Sequence, residues 1–460
     1  MSASSAYYSK EMKPRRNTML YNAKNATIVI TLVVITFLIF FPPDNSDASS
    51  SKTKYMAVID AGSSGCRIHV YKYSGSIKSK KVEPDHATMK AKPGLSSFAS
   101  NPTEAGAALE PLIKFAKEHI PADMVKSTPI VLKATAGLRL VQQDQPAAVD
   151  GILKSVQTTL GNSGLQFEPS NAQIISGQEE GMLGWIALNY LYETTSKSSN
   201  LRKSTPVWSV LEMGGASVQV SVPLTSSKGV PSEYVLPYVS PTNGRKGSMY
   251  THSFLGAGVQ SAKGAVEQAL LAKQGSTDSL NHPCLPNGFT ETENSIAYKG
   301  TGNFDECQAI IKSAVFAKQQ DKVATCEKTS SQCFWNGVAG PGLKPSEQKV
   351  WAFENFFYTM SGVGEMKADE SAKEFTIQHY EKVAKEMCNK PWDAIESAYP
   401  KDSQPKEYNK DWCFSALYAF SFLTSGLGLD AQQSIMIGNE VEGVGIDWAL
   451  GAVLQHQGRR

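Results

Sequence analysis

Two apolar stretches of this chain are each followed by a run of small residues and then by a second strand-like stretch. Tyr55–Asp60 is a short apolar run, and Cys66–Tyr73 alternates apolar with polar positions. Val207–Leu211 and Val218–Val222 repeat this arrangement near the middle of the chain. Alternation with a period of two is typical of a half-buried strand, so the pattern predicts two strand–turn–strand units.

Apolar residues at helical spacing indicate helices in the segments between and after these units. Ala105–His119 is the clearest case, because its apolar residues recur every three or four positions and share one face. Pro129–Lys133 reads as a further strand. The remaining predicted helices are Val149–Leu160, Met182–Tyr192, Ala372–Cys388 and Asp411–Leu423. Strands that alternate with helices in this way predict an α/β fold.

Ala26–Phe41 is almost wholly apolar and carries no charge. As a helix it would reach ~24 Å, slightly less than the ~30 Å hydrocarbon core of a bilayer. Basic residues precede it and Asp44 and Asp47 follow it, so the positive-inside rule leaves residues 1–25 in the cytoplasm. We expect a retained N-terminal membrane helix followed by a polar stem over residues 42–54. Cleavage near Ala48 as a signal peptide is the alternative.

The overall composition does not indicate a function, so we look for function in local sites. Hydrophobic residues make up 41% of the 460-residue chain and charged residues 19%, which is ordinary for a globular protein with a core. The net charge of +2 provides no overall field for a polyanion, so we expect no nucleic-acid partner. The sequence does not indicate an oligomeric state.

Six of the seven cysteines lie in the second half of the chain. An exported domain would oxidise them, but six cysteines allow fifteen pairings and their positions alone do not choose among these. The seventh, Cys66, lies beside the first run of small residues. We expect Cys66 to be a small buried residue and not a reactive thiol.

The two runs of small residues carry the first candidate chemistry. The first run is Asp60-Ala61-Gly62-Ser63-Ser64-Gly65, and the second contains Glu212, Gly214, Gly215, Ala216 and Ser217. Small residues let backbone N–H groups approach an anion closely, and an acid at the end of a strand can hold a hydrated divalent cation. Either loop alone is equally consistent with an ordinary hairpin turn. Together they resemble the paired phosphate loops of the actin, sugar-kinase and Hsp70 superfamily.

Two further segments lie between the loops. Thr135 offers a hydroxyl within Lys133–Arg139, directly after a predicted strand. Glu179 and Glu180 open a predicted helix, where neighbouring side chains point in different directions, so the two carboxylates should not share one task. A carboxylate beside a cleft can act as the base for an attacking water. The alternative is that both acids only favour the helix N-terminus.

Five segments together resemble the apyrase-conserved regions of the GDA1/CD39 family of nucleoside phosphohydrolases. They are DAGSSGCRIHVY, KATAGLRL, ISGQEEGMLGWIALNYL, LEMGGASVQV and DWALGA, they occur in the family's order, and they span Tyr55 to Leu454. The resemblance implies an enzyme that hydrolyses nucleoside di- or triphosphates with Ca²⁺ or Mg²⁺. It also implies two RNase H-like lobes with the active site in the cleft between them.

The resemblance also implies a role for each matching residue. Glu180 would be the catalytic base, Ser217 and Gln219 would hold the attacking water, and Thr135 would bring its hydroxyl to the metal and phosphate site. Asp60 and Glu212 would hold water molecules bound to the metal. Backbone amides of the two loops would bind phosphate oxygens; these belong to Ser63, Ser64, Gly65, Gly215, Ala216 and Ser217, with Gly62 and Gly214 as loop glycines.

This chain departs from the family pattern at two places. Many members have Asp where this chain has Glu212, which is one methylene longer, so metal preference could differ. In the surface members of the family, aromatic side chains clamp the nucleobase, and Tyr358 is the candidate for one side. The opposite wall should come from Thr424–Asp430, which offers Leu427 and Leu429 but no aromatic residue. Core packing is the alternative for Phe356 and Phe357.

Carried over by position, the family's cysteine pairs would be Cys284–Cys307, Cys326–Cys333 and Cys388–Cys413. The first lobe would hold residues 55–177 together with 434–460, and the second lobe residues 178–433.

A single N-terminal anchor resembles the Golgi members of the family. We therefore expect a type II Golgi membrane enzyme that hydrolyses GDP or UDP in the lumen. The main alternative is a broader apyrase, secreted or at the cell surface, that also takes ATP. An exopolyphosphatase or sugar kinase of the same superfold would not explain the KATAG segment, the export signal and the cysteines together. A lectin-like scaffold without activity would leave the carboxylates and both loops without a purpose.

Overall fold

The computed structural model describes residues 53–74, 81–195, 207–240, 242, 244–275, 278–317, 320–327, 332–343, 349–367, 370–398 and 406–458. Residues from Thr53 onward form one compact unit. The predicted anchor Ala26–Phe41, its tail and most of the stem lie outside the described residues. Within the described ranges, no helix has both the length and the apolar character needed to cross a membrane.

Strands and helices alternate along the chain. The strands are β1 (Lys54–Ala61), β2 (Cys66–Ser74), β3 (Lys81–Ala91), β4 (Ile130–Ala134), β5 (Ala172–Ile174), β6 (Ser209–Met213), β7 (Ser217–Leu224), β8 (Val235–Val239), β9 (Lys246–Leu255), β10 (Ser279–His282), β11 (Thr290–Glu293), β12 (Ile296–Gly300), β13 (Cys333–Phe334), β14 (Val338–Ala339), β15 (Val350–Glu354), β16 (Ala372–Thr376), β17 (Ser434–Gly438), β18 (Glu440–Val441) and β19 (Val444–Gly445). The α-helices are α1 (Glu110–His119), α2 (Ala136–Asp144), α3 (Pro146–Gly161), α4 (Gly177–Thr195), α5 (Val259–Gln274), α6 (Phe304–Ile311), α7 (Gln320–Glu327), α8 (Asn355–Gly362), α9 (Ile377–Asn389), α10 (Trp392–Ala398), α11 (Trp412–Ser421) and α12 (Trp448–Gly458).

Two large sheets repeat one strand order. The first sheet runs β3-β2-β1-β4-β5, and the second runs β16-β17-β15-β6-β7-β9-β8. In both sheets an antiparallel hairpin, β1–β2 or β6–β7, is extended on one side by two parallel strands. The two predicted strand–turn–strand units therefore occupy equivalent positions in two lobes, which gives the chain a two-lobed α/β fold.

Each sheet packs one face against the core of its own lobe and the other face against a core that the two lobes share. Along β1, Ala57 and Ile59 pack with α1 and α3, whereas Met56 and Val58 pack with α4 and α12. Side chains on a strand alternate between faces, which explains this division. The second sheet behaves likewise, because Val210 lies in the shared core and its neighbour Leu211 in the core of the second lobe. Helices α4 and α12 are thus enclosed between the two sheets.

The two enclosed helices approach each other very closely. A Cβ added at Gly451 of α12 would lie 2.1 Å from the backbone oxygen of Leu183 on α4. Only a residue without a side chain fits at this crossing. The glycine therefore fixes the distance between the two helices.

Two predictions made from the sequence are wrong in this region. Ser434–Gly438 is expected in the first lobe, but as β17 it pairs in parallel with β15 in the second sheet. Ala372–Cys388 is predicted to be one helix, but its first five residues form β16, and the helix begins at Ile377. In both cases the strand is specified by pairing with a distant segment, which helical periodicity does not reveal.

The cysteines of the second lobe are paired locally. Disulfides join Cys284 to Cys307, Cys326 to Cys333 and Cys388 to Cys413, which are the pairs that the family resemblance implied. Cys66 is free and buried, and burial raises the pKa of its thiol to about 12. A thiol with that pKa stays protonated at neutral pH and is a poor nucleophile.

Candidate active site

The two glycine–serine loops meet across the space between the lobes. Residues 62–65 join β1 to β2, and residues 214–216 join β6 to β7. A Cβ added at Gly215 would lie 2.7 Å from the Ser63 hydroxyl oxygen, which shows how closely the loops approach. The sequence predicted both loops, and the fold places their backbones on the same cleft.

Glycines from the first lobe also hold the Ser63 backbone. A Cβ at Gly94 would lie 2.6 Å from the Ser63 carbonyl oxygen, and a Cβ at Gly137 would lie 2.9 Å from Ser63 Cα. These positions tolerate no side chain without movement of the loop. The first loop is therefore packed firmly in place, as a group that must present fixed N–H donors should be.

Nearly all the candidate site residues identified from the sequence line one cleft. It is lined by Asp60, Gly62, Ser63, Ser64, Gly65, Thr135, Glu180, Glu212, Gly214, Gly215, Ala216 and Ser217. Gln219 lies behind this lining, and Tyr358 is not part of it. Residues that the sequence analysis had not assigned also line the cleft, and they are Arg67, Lys90, Ala136, Phe353, Glu354, Ile446, Asp447 and Trp448.

Glu180 lies in the first turn of α4 and is almost fully buried. The hydroxyl of Ser176 accepts a hydrogen bond of 3.0 Å from the Glu179 backbone N–H and so caps the helix. Glu180 lines the cleft, whereas Glu179 does not. The Arg139 guanidinium donates to Glu180 Oε2 at 2.7 Å. Burial raises the pKa of Glu180, and Arg139 partly opposes that rise.

Gln219 connects the Glu180 carboxylate to Ser217. Its amide nitrogen lies 3.1 Å from Glu180 Oε2 and 2.6 Å from the Ser217 hydroxyl oxygen. Arg139 and Gln219 both contact Oε2, so the orientation of the carboxylate is fixed from two sides. Glu180 of α4 thus forms one hydrogen-bonded group with Ser217 and Gln219, which lie two residues apart on β7.

Thr135 lies between β4 and α2, where the chain leaves the first sheet. Its backbone N–H donates to the Ala61 carbonyl oxygen at 3.2 Å, and its hydroxyl makes no capping bond to α2. Arg139 is four residues later on the same helix, so it lies on the same face as the start of α2. Helical spacing was the signal that could have identified Arg139 from the sequence.

Asp60 and Glu212 occupy equivalent places at the ends of β1 and β6. Among the residues that the structure describes, Asp60 Oδ1 and Glu212 Oε2 are buried without a hydrogen-bond partner. Burial raises the pKa of both carboxyls well above the ordinary value, and neighbouring carboxylates, Asp447 for Asp60 and Glu180 for Glu212, add to the rise. Buried carboxylate oxygens without described partners, beside a cleft lined by both candidate phosphate loops, fit the presence of a cation.

Asp447 is a further carboxylate of the cleft, and its pKa is shifted in the opposite direction from those of Asp60 and Glu212. It lies 3.0 Å from His69 and 3.5 Å from Arg67, and it caps α12 by accepting from the Ala449 backbone N–H at 2.7 Å. Burial alone would raise its pKa, but His69 and Arg67 outweigh burial and lower it to about 2. Asp447 is therefore ionised at neutral pH. The DWALGA segment was recognised in the sequence, but the role of its Asp was not.

Glu354 was also missed. It ends β15, has φ of 60°, which side-chain-bearing residues rarely adopt, and its backbone N–H donates to Asn439 Oδ1 at 2.7 Å. Burial raises the pKa of its carboxyl, and Arg67 partly opposes this. β15 is the counterpart of β4, so Glu354 lies close to the place that Thr135 takes in the first lobe. Glu354 could be identified from the strand order that the two sheets share, and only the structure shows that order.

The residues considered for the nucleobase clamp differ in exposure. Tyr358 is 42% exposed, whereas Phe356 is fully buried in the core. Leu427 and Leu429, expected to form the opposite wall, are both buried in the core of the second lobe, so that prediction is wrong. A second exposed aromatic residue is Tyr408, whose hydroxyl lies 3.5 Å from Lys92 of the first lobe.

The family model described as the GDA1/CD39 (nucleoside phosphatase) family matches residues 46–459. A nucleoside-triphosphatase of Caenorhabditis elegans, ntp-1, is 30% identical over 427 residues, which cover 89% of this chain and 74% of that protein. A probable apyrase 3 of Arabidopsis thaliana is 32% identical over 88% of this chain and 82% of its own length. A guanosine-diphosphatase of Schizosaccharomyces pombe is 29% identical over 89% of this chain and 74% of its own.

Among solved structures, a nucleoside triphosphate hydrolase of Neospora caninum superimposes with a TM-score of 0.60. The alignment covers 95% of this chain and 98% of the other, at 16% sequence identity. At that identity the likeness shows a shared fold.

Proposed function

The chain belongs to the GDA1/CD39 (nucleoside phosphatase) family, and on that premise we propose that it removes the terminal phosphate of nucleoside diphosphates, with GDP and UDP as the preferred substrates. The convergence of two phosphate loops and Glu180 on one cleft carries the proposal. Similarity to a guanosine-diphosphatase supports a diphosphate substrate. Similarity to proteins named apyrase and nucleoside-triphosphatase supports turnover of triphosphates as well.

The loops would hold the phosphate chain from opposite sides. Backbone N–H groups of residues 63–65 and 215–217 are the donors, and the Ser63, Ser64 and Ser217 hydroxyls add to them. Such donors stabilise charge that develops on the phosphoryl oxygens without any rearrangement during the reaction. Positioning and charge stabilisation, and not a covalent enzyme intermediate, then account for most of the catalysis.

Glu180 would act as the base. A water molecule held by Ser217 and Gln219 attacks the terminal phosphorus, and Glu180 accepts its proton. The new P–O bond forms as the bridging P–O bond breaks, so the products are inorganic phosphate and the shortened nucleotide. Arg139 and Gln219 keep the carboxylate in one orientation throughout.

Asp60 and Glu212 are the residues that would hold a divalent cation, Ca²⁺ or Mg²⁺, through its bound water. Their buried oxygens without described partners and their repulsion with neighbouring carboxylates support this. Within the described ranges, no three His, Cys, Asp or Glu side chains are arranged to ligate a metal directly. When bound, the cation would supply positive charge to the phosphate oxygens.

Tyr358 would provide one aromatic face for the nucleobase at the mouth of the cleft. Tyr408 is another exposed aromatic residue among those that the structure describes, and its hydroxyl lies 3.5 Å from Lys92. Stacking on aromatic faces accepts every base, so we expect modest discrimination between nucleotides.

We propose that residues 26–41 are a retained anchor and that the enzyme works in the Golgi lumen, or alternatively at the cell surface or after secretion. The three disulfides support an oxidising compartment. Protease protection of an epitope at either end, in microsomes, tests the topology. N-terminal sequencing of the mature protein distinguishes a retained anchor from cleavage near Ala48.

Phosphate release from GDP, UDP, ADP, GTP, ATP and polyphosphate, with Ca²⁺, Mg²⁺ or EDTA, tests the function. We expect the fastest turnover with GDP or UDP and none in EDTA. Comparable turnover of ATP and ADP would favour the broader apyrase. Turnover of polyphosphate without nucleotides would contradict the proposal.

A further inference from the structure

The buried side chain of Glu212 lies against Gly184, a residue of helix α4 that has no side chain. A Cβ added at Gly184 would lie 3.2 Å from Glu212 Oε2 and 3.3 Å from Phe353 Cζ. Both distances are shorter than the 3.4–4 Å at which a Cβ makes ordinary van der Waals contact. An alanine at position 184 would therefore push against the carboxylate.

The fold explains why these residues meet. Glu212 and Phe353 are directly paired across the parallel strands β6 and β15, so their side chains leave the sheet on the same face. Gly184 is four residues after Glu180 on α4, so it lies on the same helix face as that carboxylate. The face that presents Glu180 to the cleft therefore also lies against Glu212.

Glu212 Oε2 is buried and has no hydrogen-bond partner among the described residues. Nothing described therefore holds this oxygen in place except packing. The backbone of α4 at Gly184 limits how far the carboxylate can extend toward this helix. An aspartate at this position of β6 would end one methylene earlier and would leave that space unused.

We propose that Gly184 and Glu212 form a size-matched pair, in which the missing side chain on α4 accommodates the longer acid and so sets where its carboxylate lies in the cleft. Gly184 is thus a positioning residue for Glu212. The packing of the two residues does not depend on what the enzyme does. Its consequence for activity rests on the proposed function, in which Glu212 contributes to the cation site.

The experiment compares Gly184→Ala in two backgrounds, the natural chain and the Glu212→Asp variant, by thermal unfolding in EDTA. Replacing glycine by alanine inside a helix is normally stabilising, and for a protein of this size we expect a gain of about 1–2 °C. In the natural background, the contact with Glu212 should reverse that gain and lower the melting temperature. In the Glu212→Asp background, the shorter acid removes this contact and only the contact with Phe353 remains, so Gly184→Ala should change the melting temperature more favourably than in the natural chain.

Gly264→Ala is the matched control, because Gly264 lies inside α5 with no atom within 4 Å of the added Cβ. It should raise the melting temperature in both backgrounds. The contact between an alanine at 184 and Phe353 is present in both backgrounds, so it cancels from the difference. If Gly184→Ala changes the melting temperature equally in the natural chain and in Glu212→Asp, the pairing is wrong, whatever the enzyme does.

Activity provides the second readout. We expect Gly184→Ala to reduce kcat on the order of tenfold in the natural chain, because small displacements in an active site are costly, and to have a smaller effect in the Glu212→Asp background. Stability coupling without any nucleotide hydrolysis by the natural chain would contradict the proposed function while leaving the pairing intact. Equal loss of kcat in both backgrounds would remove Gly184 as a positioning residue for Glu212.

Discussion

Arg139 and Glu180 form a buried ion pair of 2.7 Å that joins the helix after Thr135 to the helix that carries the candidate base. The same guanidinium donates to the Ile175 carbonyl oxygen at 3.0 Å and lies 3.4 Å from the Ser217 hydroxyl. Arg139 therefore contacts both the carboxylate that would take a proton and a residue that would hold the attacking water. An arginine between a base and its water both orients the base and controls its pKa.

Arg139→Met should move the acidic limb of the pH profile to higher pH. Burial raises the pKa of Glu180 and Arg139 lowers it, so without Arg139 the rise is unopposed and the base becomes protonated at a higher pH. We expect kcat/KM at neutral pH to fall by about 10–100-fold. Its pH dependence gives the direct measurement. Arg139→Lys keeps the charge and should show a smaller shift; an unmoved acidic limb in Arg139→Met would contradict this role.

Glu180→Gln should lower kcat by about 10²–10⁴-fold, the usual contribution of a general base. Binding of a non-hydrolysable GDP analogue, measured by calorimetry, should remain within a few-fold of the natural protein, because the loops and not Glu180 hold the phosphates. Glu179→Gln is the control, since Glu179 is adjacent but does not line the cleft. Near-normal turnover by Glu180→Gln would assign the base to another residue.

Gly215→Ala should impair phosphate binding, whereas Gly214→Ala should be tolerated. The new Cβ at 215 would lie 2.6 Å from Gln260 Oε1 and 2.7 Å from the Ser63 hydroxyl, but at 214 the nearest atom is 3.5 Å away. We expect kcat/KM for GDP to fall by about 10–100-fold in the first variant and by less than about threefold in the second. Steady-state kinetics compares the two, and equal effects would show that the approach of the loops is unimportant.

Asp60→Asn should stabilise the metal-free protein while weakening its response to divalent cations. Burial raises the pKa of the Asp60 carboxyl, so the folded protein holds its proton more tightly than the unfolded chain does. The ionised form therefore opposes folding at neutral pH, and this penalty fades as the pH falls through the raised pKa. We expect the melting temperature in EDTA at neutral pH to rise by about 2–5 °C, and by less at about pH 5.

Ca²⁺ or Mg²⁺ should raise the melting temperature of the natural protein and have a smaller effect on Asp60→Asn. The exposed Asp123 provides the control, because Asp123→Asn should change neither quantity. If the natural protein and Asp60→Asn respond equally to the cations, Asp60 is not part of the cation site.

Local patterns predicted those parts of the site that lie within one hairpin or one helix. The two loops could be recognised because an apolar strand, an acid and small residues are adjacent in the sequence. Arg139 could have been found in the same way, from its spacing of four residues after Thr135. Glu354 could not, because its place in the cleft depends on β15 being the counterpart of β4, which is a relation between distant segments.

The errors in the fold have the same origin. The assignment of Ser434–Gly438 to the first lobe failed because hydrogen bonds to β15 decide which sheet the strand joins. Leu427 and Leu429 were expected at the cleft but are buried in the second lobe, because an apolar side chain gains more from the core than from an exposed wall. Strand partners and the destination of apolar loop residues are tertiary properties.

The contact between Gly451 and Leu183 limits how the cleft can open. Helices α4 and α12 pack backbone against backbone at this point, so moving them apart would lose closely packed contacts. Opening would instead require each sheet to rotate about the helix pair, which then serves as a fixed axis. Exit of the shortened nucleotide, and not cleavage of its phosphoanhydride bond, is the step that such a rotation would govern.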